Sequence, residues 1–134
     1  QTCALPISLI NEGKNDKAEK IIDLAMTKMP VEYFEYYSMV DPFAMGYYEV
    51  GKKEKARLIL SQLIKKYQEN LTFYSGYTLT EQYFYASDIV TDIEQYRGLL
   101  EIAKNANDSE FYNKQKVKFN NYNKMFNVFN RKME

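Results

Sequence analysis

Two passages of the chain are built alike. Leu9-Ile10-Asn11-Glu12-Gly13 and Tyr47-Tyr48-Glu49-Val50-Gly51 each read as the end of a helix closed by a glycine, and in each a new helix begins about three residues later. Gly13 aligns with Gly51, Ala18 with Ala56, Ile22 with Leu60 and Ala25 with Leu63, a period of about 38 residues. Glycine suits the helix end because it adopts the left-handed backbone conformation at no steric cost. The apolar residues that follow recur at spacings of three and four, the signature of one buried stripe per helix. A chain that repeats such a unit is expected to adopt an all-helical fold in which antiparallel helix pairs stack, since one pair cannot bury its apolar stripe alone.

The helix after Gly13 is predicted to start at Asp16 as its cap and to bury Ala18, Ile21, Ile22, Ala25 and Met29 up to Pro30, with Lys17, Glu19, Lys20, Asp23 and Lys28 on the other face. Ala18 and Ala56 fit a close helix crossing that leaves room for little more than a methyl group. The helix after Gly51 runs from about Lys53 through Tyr67 toward Leu71, with Leu58, Ile59, Leu63, Ile64 and Tyr67 inward, and Gly76 marks a break. From Thr80, a plausible cap, one long helix is predicted, burying Tyr83, Phe84, Ala86, Ile89, Val90, Ile93, Tyr96, Leu99, Leu100 and Ala103. Asn105 to Asp108 is a polar turn. Phe111, Gln115, Phe119, Tyr122, Phe126, Phe129 and Met133 then form a nearly heptad-like row, so a second long helix should lie antiparallel on the first.

The period is slightly longer than the roughly 34 residues of a tetratricopeptide repeat, which this pattern resembles. The expected fold is all-α: tetratricopeptide-like antiparallel helix pairs, the first truncated, closed by a long C-terminal helical hairpin. A compact helical bundle without superhelical stacking is the alternative. Gln1 to Ser8 resembles, codon for codon, a translated sequencing adapter (CAG ACG TGT GCT CTT CCG ATC T), and is expected to be a fusion scar. The expected organisation is therefore 1–8 adapter-derived, 9–71 repeats and 72–134 capping hairpin. Cys3 falls in the first of these, leaving no native cysteine from which to infer a disulfide framework or a redox compartment.

The chain of 134 residues is long enough for one domain with a real core, and at 46% hydrophobic residues it is too apolar for disorder. Lys plus Arg and Asp plus Glu both total 18, so no net field gathers nucleic acid or anionic lipid. In the C-terminal stretch from Asn113 to Lys132, lysines and aromatics interleave but separate onto opposite helix faces, as in a packing helix. No run approaches the roughly 20 apolar residues of a membrane span, and no signal peptide is visible at the start.

Histidine is absent, and the five glycines form no phosphate-cradling loop. Glu32 with Glu35 and Asp88 with Asp92 sit one helical turn apart, as paired carboxylates can for acid–base work, yet their mixed surroundings read as solvated faces. No catalytic, metal or cofactor site is expected. The tyrosines from Tyr33 to Tyr48 could contact a ligand, since a phenol offers a stacking face and a hydroxyl together, though most should pack between helices. In tetratricopeptide grooves the first helix of each repeat lines the concave face. That places Met45 and Tyr48, with Tyr37 and Asp41 nearby, in a candidate groove for a peptide or glycan.

The run Leu9 to Ala18, the helix ending in Met29-Pro30, then Tyr33-Phe34 and Tyr47 to Gly51 resemble the C-terminal tail of a bacterial family of multi-spanning membrane proteins similar to protein O-mannosyltransferases, with a glycosyltransferase-C type membrane domain. The resemblance covers most of Leu9 to Leu71. It implies an extramembrane tail on the periplasmic face of the inner membrane, serving a protein or peptide partner or the membrane domain of its own chain. The family's catalytic acids match no residue here, so none is carried over. A cytoplasmic tetratricopeptide adaptor is the alternative, and a helical outer-membrane nutrient-binding protein a third reading.

Overall fold

In the computed structural model the described residues are 9–10, 13–28 and 41–126, and among them every regular element is a helix. They form α1 (Asn15–Lys28), α2 (Asp41–Glu49), α3 (Lys53–Ser75), α4 (Leu79–Phe84), α5 (Ala86–Asn105) and α6 (Ser109–Lys124). The expected all-α class is what the chain adopts. The chain divides into two compact units, Gln1–Leu63 and Ile64–Glu134.

One local device recurs. At Gly13, with φ +75°, the Gly13 N–H donates to the Ile10 carbonyl at 2.9 Å and the Lys14 N–H donates to that of Leu9 at 2.8 Å. At Gly51, with φ +78°, the Gly51 N–H donates to Tyr48 at 3.1 Å and that of Lys52 to Tyr47 at 2.8 Å. This pair of bonds, one across three residues and one across five, satisfies carbonyls a helix end leaves open. The device appears once more where no glycine stands. Asn107 takes φ +61°, its N–H donates to Lys104 at 3.0 Å, and the Asp108 N–H donates to Ala103 at 2.9 Å. Asn is the non-glycine residue best suited to that conformation. In all three places the next helix opens two residues after the left-handed residue.

In the first unit α1 packs on α2. Gly46 sits where they meet: a Cβ there would lie 2.8 Å from Ile22 Cδ1. Ala18, Ile22, Ala44 and Ala56 are fully buried, as spacing predicts for Ala18, Ile22 and Ala56. Ile21 and Ala25 are only partly buried. Leu58, expected inward, is 61% exposed, because two residues before the buried Leu60 is nearly the opposite side of a helix.

In the second unit α5 and α6 form the expected antiparallel hairpin about the Asn105–Asp108 turn. Lys104 lies over the Tyr112 ring, and seven residues further from the turn on each side Arg97 lies over the Phe119 ring. Tyr96, Leu99, Ala103, Phe111, Gln115, Phe119 and Phe126 are buried along it. Phe129 and Met133 lie outside the described residues.

The single long helix predicted from Thr80 is two helices. Thr78 is the cap: its Oγ1 accepts from the Glu81 N–H at 3.3 Å, and Glu81 Oε2 accepts from the Thr78 N–H at 2.8 Å. This reciprocal capping box places the cap two residues ahead of Thr80, and α4 starts at Leu79. At Tyr85 (φ −100°, ψ 16°) the helical run is interrupted before α5 begins. The interruption uncouples α4 from the register of α5, so Gln82 is the buried residue of α4, while Tyr83 and Phe84 are exposed.

Candidate functional site

Of the four residues expected in a groove, Asp41, Met45 and Tyr48 fall one above another on α2, at the first, fifth and eighth positions of that helix. Met45 is exposed, whereas Asp41 and Tyr48 are partly buried. Tyr37 lies outside the described residues, as does most of the Tyr33 to Tyr48 cluster and the Glu32/Glu35 pair. Asp41 Oδ1 is sealed from solvent and accepts no hydrogen bond among the described residues. Burial pushes its carboxyl up to about 6, since desolvation penalises the charged form. The rest of α2 faces inward through Phe43, Ala44, Gly46 and Tyr47.

A polar network that the spacing did not reveal ties α1, α2 and the start of α3. The Tyr47 hydroxyl donates to Asp23 Oδ1 at 2.6 Å. Lys55 Nζ donates to Glu19 Oε1 at 2.8 Å, to Asp23 Oδ2 at 2.8 Å and to Asp23 Oδ1 at 3.0 Å. Its ammonium also stands 5.7 Å from the centre of the Tyr47 ring, close enough for a cation–π contact. The hydrogen bond from Lys55 holds the Glu19 carboxyl below its usual range. Burial acts to raise Asp23, and the bonds from Lys55 and Tyr47 outweigh it, so this carboxyl too is lowered. Burial, then the neighbouring Asp23, push the Tyr47 phenol up, and the carboxylates hold Lys55 protonated. Such groups resist giving up or taking protons near neutrality. The network is a brace, built from Glu19 and Asp23 on the face of α1 that periodicity assigns to solvent.

The second unit carries a different constellation where α3 ends and α4 and α5 begin. The rings of Phe73, Tyr74, Tyr77 and Tyr85 touch one another, with centroids 5.0 Å apart for Phe73 and Tyr77, 5.4 Å for Tyr77 and Tyr85, and 5.6 Å for Tyr74 and Tyr85. Buried Gln82 fixes this corner by donating its amide to the carbonyls of Tyr74 and Tyr77, both at 3.1 Å. Phe84 is 82% exposed, Phe73 and Leu79 each 62%. Burial pushes the Tyr74 phenol up, and the nearby carboxylates of Asp88 and Asp92 push the same way. Asp92 is raised to about 6, chiefly by burial and further by Asp88, against a hydrogen bond with Asn70. The Asp88/Asp92 pair is thus not a wholly solvated face, since Asp92 is partly buried.

Among the described residues no group of three or more His, Cys, Asp or Glu side chains is placed to hold a metal ion, and no helix is long and apolar enough to cross a membrane. The chain matches no family model, no curated protein sequence and no solved structure.

Proposed function

We propose that this chain is a non-catalytic helical-repeat scaffold, and that it forms the extramembrane C-terminal tail of a bacterial membrane-bound glycosyltransferase-like protein, on the periplasmic face of the inner membrane. Its work is to hold a protein or peptide partner, or the membrane domain of its own chain, in position. The observation that carries the scaffold reading is the shared helix corner. The turns at Gly13 and Gly51 are closed by the same two backbone bonds, and each is followed at the fifth residue by an alanine with no solvent exposure. Reuse of one corner 38 residues on, each time with a buried alanine behind it, is the kind of repetition from which stacked helix pairs are built. The transferase attribution rests on the sequence resemblance alone.

The second reading, a soluble tetratricopeptide adaptor that binds a peptide, is favoured by the face of α2. Met45 is exposed there and stands one helical turn from the partly buried Asp41 and Tyr48, an apolar contact for a peptide side chain. Reading the source DNA upstream of the Leu9 codon separates the two. Several spans of roughly 20 apolar residues there support the membrane tail. Further helix–Gly–Ala units without spans support the adaptor and exclude the tail.

A further inference from the structure

Between Lys66 and Arg97 the chain contains no lysine or arginine, although it contains Glu69, Glu81, Asp88, Asp92 and Glu94. In a molecule whose charges balance overall, this segment is a purely acidic interval, and it is the interval that builds the exposed aromatic corner. Among the described residues two of the five carboxylates have a cation close by: Glu69 with Lys65 at 3.9 Å and Glu94 with Arg97 at 3.5 Å. Glu81 is engaged in the capping box. Asp88 and Asp92 act on Tyr74, and Glu81 acts on Tyr77, and among the described residues no basic side chain acts on either ring.

Phe73, Leu79, Phe84 and Tyr85, with the partly buried Tyr77, thus present apolar area beside negative charge that no cation among the described residues offsets. Exposed apolar side chains gathered in one place mark contact surfaces more often than stray leucines do. The faces of aromatic rings carry negative quadrupole density, so phenol, phenyl and carboxylate all favour the same visitor, a cation. A bare cation would leave Leu79 and Phe84 in water, and a purely apolar partner would cover the charge of Asp88 with no counter-charge, at a steep desolvation cost. The occupant that meets both demands carries Lys or Arg on one side and aliphatic groups on the other.

We propose that the corner formed by the end of α3, α4 and the start of α5 docks a basic amphipathic peptide segment of a partner protein. This deepens the scaffold reading and rests on it, by naming the chemistry of what the scaffold holds and the surface that holds it. The corner belongs to the second unit, whereas the α2 residues named for a groove belong to the first.

The test titrates the full chain, isotopically labelled for backbone NMR, with three synthetic helical peptides: one of Leu and Lys in amphipathic register, one with Glu replacing each Lys, and one with Ser replacing each Leu. The Leu/Lys peptide is expected to bind, with shifts centred on residues 73–92 and affinity falling as salt is raised. The Glu peptide should not bind, and the Ser peptide should bind at least about tenfold more weakly. Phe73→Ser or Phe84→Ser, exposed sites whose variants retain the helical spectrum, should weaken binding about tenfold, and Asp88→Asn about twofold to fivefold.

Equal binding of the Glu peptide, shifts centred outside residues 73–92, or no binding of the Leu/Lys peptide would each overturn the proposal. So would line broadening at the corner that grows with protein concentration alone and is unchanged by peptide, which would assign the surface to a second copy. None of these outcomes bears on the upstream DNA, so the scaffold reading stands or falls separately.

Discussion

The second unit holds two groups of aromatic rings whose situations are opposite. Around Tyr96, the ring of Phe119 packs edge-on at 5.0 Å and that of Tyr122 lies at 6.2 Å, all within the α5–α6 hairpin. Tyr96 is wholly buried, and its hydroxyl accepts from the Gln68 amide at 2.8 Å. At the α3–α4–α5 corner, rings at comparable separations are only partly covered: Phe73 is 62% exposed and Tyr85 41%, while Tyr74 and Tyr77 are partly buried. The residue types are the same, so chemistry does not separate the groups; register does. Tyr96 and Phe119 fall on the facing stripes of two uninterrupted helices, whereas the corner rings straddle two helix ends and a six-residue helix with no stripe long enough to be covered. Aromatic content therefore says little about what holds a fold until the helix boundaries are known.

The sharpest way to break this comparison is truncation in both groups. Tyr96→Ala removes a fully enclosed ring and leaves the Gln68 amide without its acceptor, a loss of about 3–5 kcal/mol. That is a large share of the roughly 5–15 kcal/mol available to a domain, so the urea midpoint should drop steeply and α5–α6 amides should lose their exchange protection. Tyr96→Phe keeps the ring and removes only the hydroxyl, for about 1 kcal/mol, read as a shift in midpoint without a change in slope.

Smaller again is the effect of Asp92→Asn. The folded-state value of Asp92, about 6, lies above its ordinary 3.8, so the folded chain holds this proton more tightly than the unfolded one. The group's contribution is therefore most favourable below pH 3.8, and stability declines as pH rises through 6. Asp92→Asn should be slightly more stable than the parent at pH 7 and show a shallower decline across that window. The slope should not vanish, because Asp41, also raised to about 6, acts with the same sign. A variant whose thermal midpoint keeps the full slope would remove Asp92 from this account. The least effect belongs to Phe84→Ser, expected within about 0.5 kcal/mol of the parent. A loss approaching that of Tyr96→Ala would show that the corner is core, and the contrast drawn above would collapse.

Much of this architecture is legible in the order of the residues. The caps at Gly13 and Gly51 follow from glycine at the end of an apolar-periodic run. The buried stripe of Ala18 and Ile22, and the row from Phe111 to Phe126, follow from spacing. What escapes periodicity has physical causes. Spacings of three and four continue across Tyr85 as though nothing happened, because an interruption of one residue barely disturbs the count. Only the Thr78–Glu81 pairing, read as a capping box, could have placed the start of α4. The brace of Glu19, Asp23, Tyr47 and Lys55 joins residues distant in sequence, and nothing local marks a charged residue as the partner of another thirty positions away. Gly46 reads as a mid-helix weakness until Ile22 is seen against it. Of the groove residues, the α2 face of Asp41, Met45 and Tyr48 is legible from helical spacing, but the sealed Asp41 oxygen is not.

The left-handed residues at Gly13, Gly51 and Asn107 bear on descent as well as shape. Few side chains tolerate that backbone conformation, while an exposed helix position such as Leu24 or Val117 accepts nearly any residue. Over long divergence the helices of this chain can exchange most of their letters, but these three corners can draw only on a short alphabet. Kinship too distant for overall similarity to register should survive as a spacing: glycine or asparagine at the three corners, 38 and then 56 residues apart, each opening a new helix two residues on.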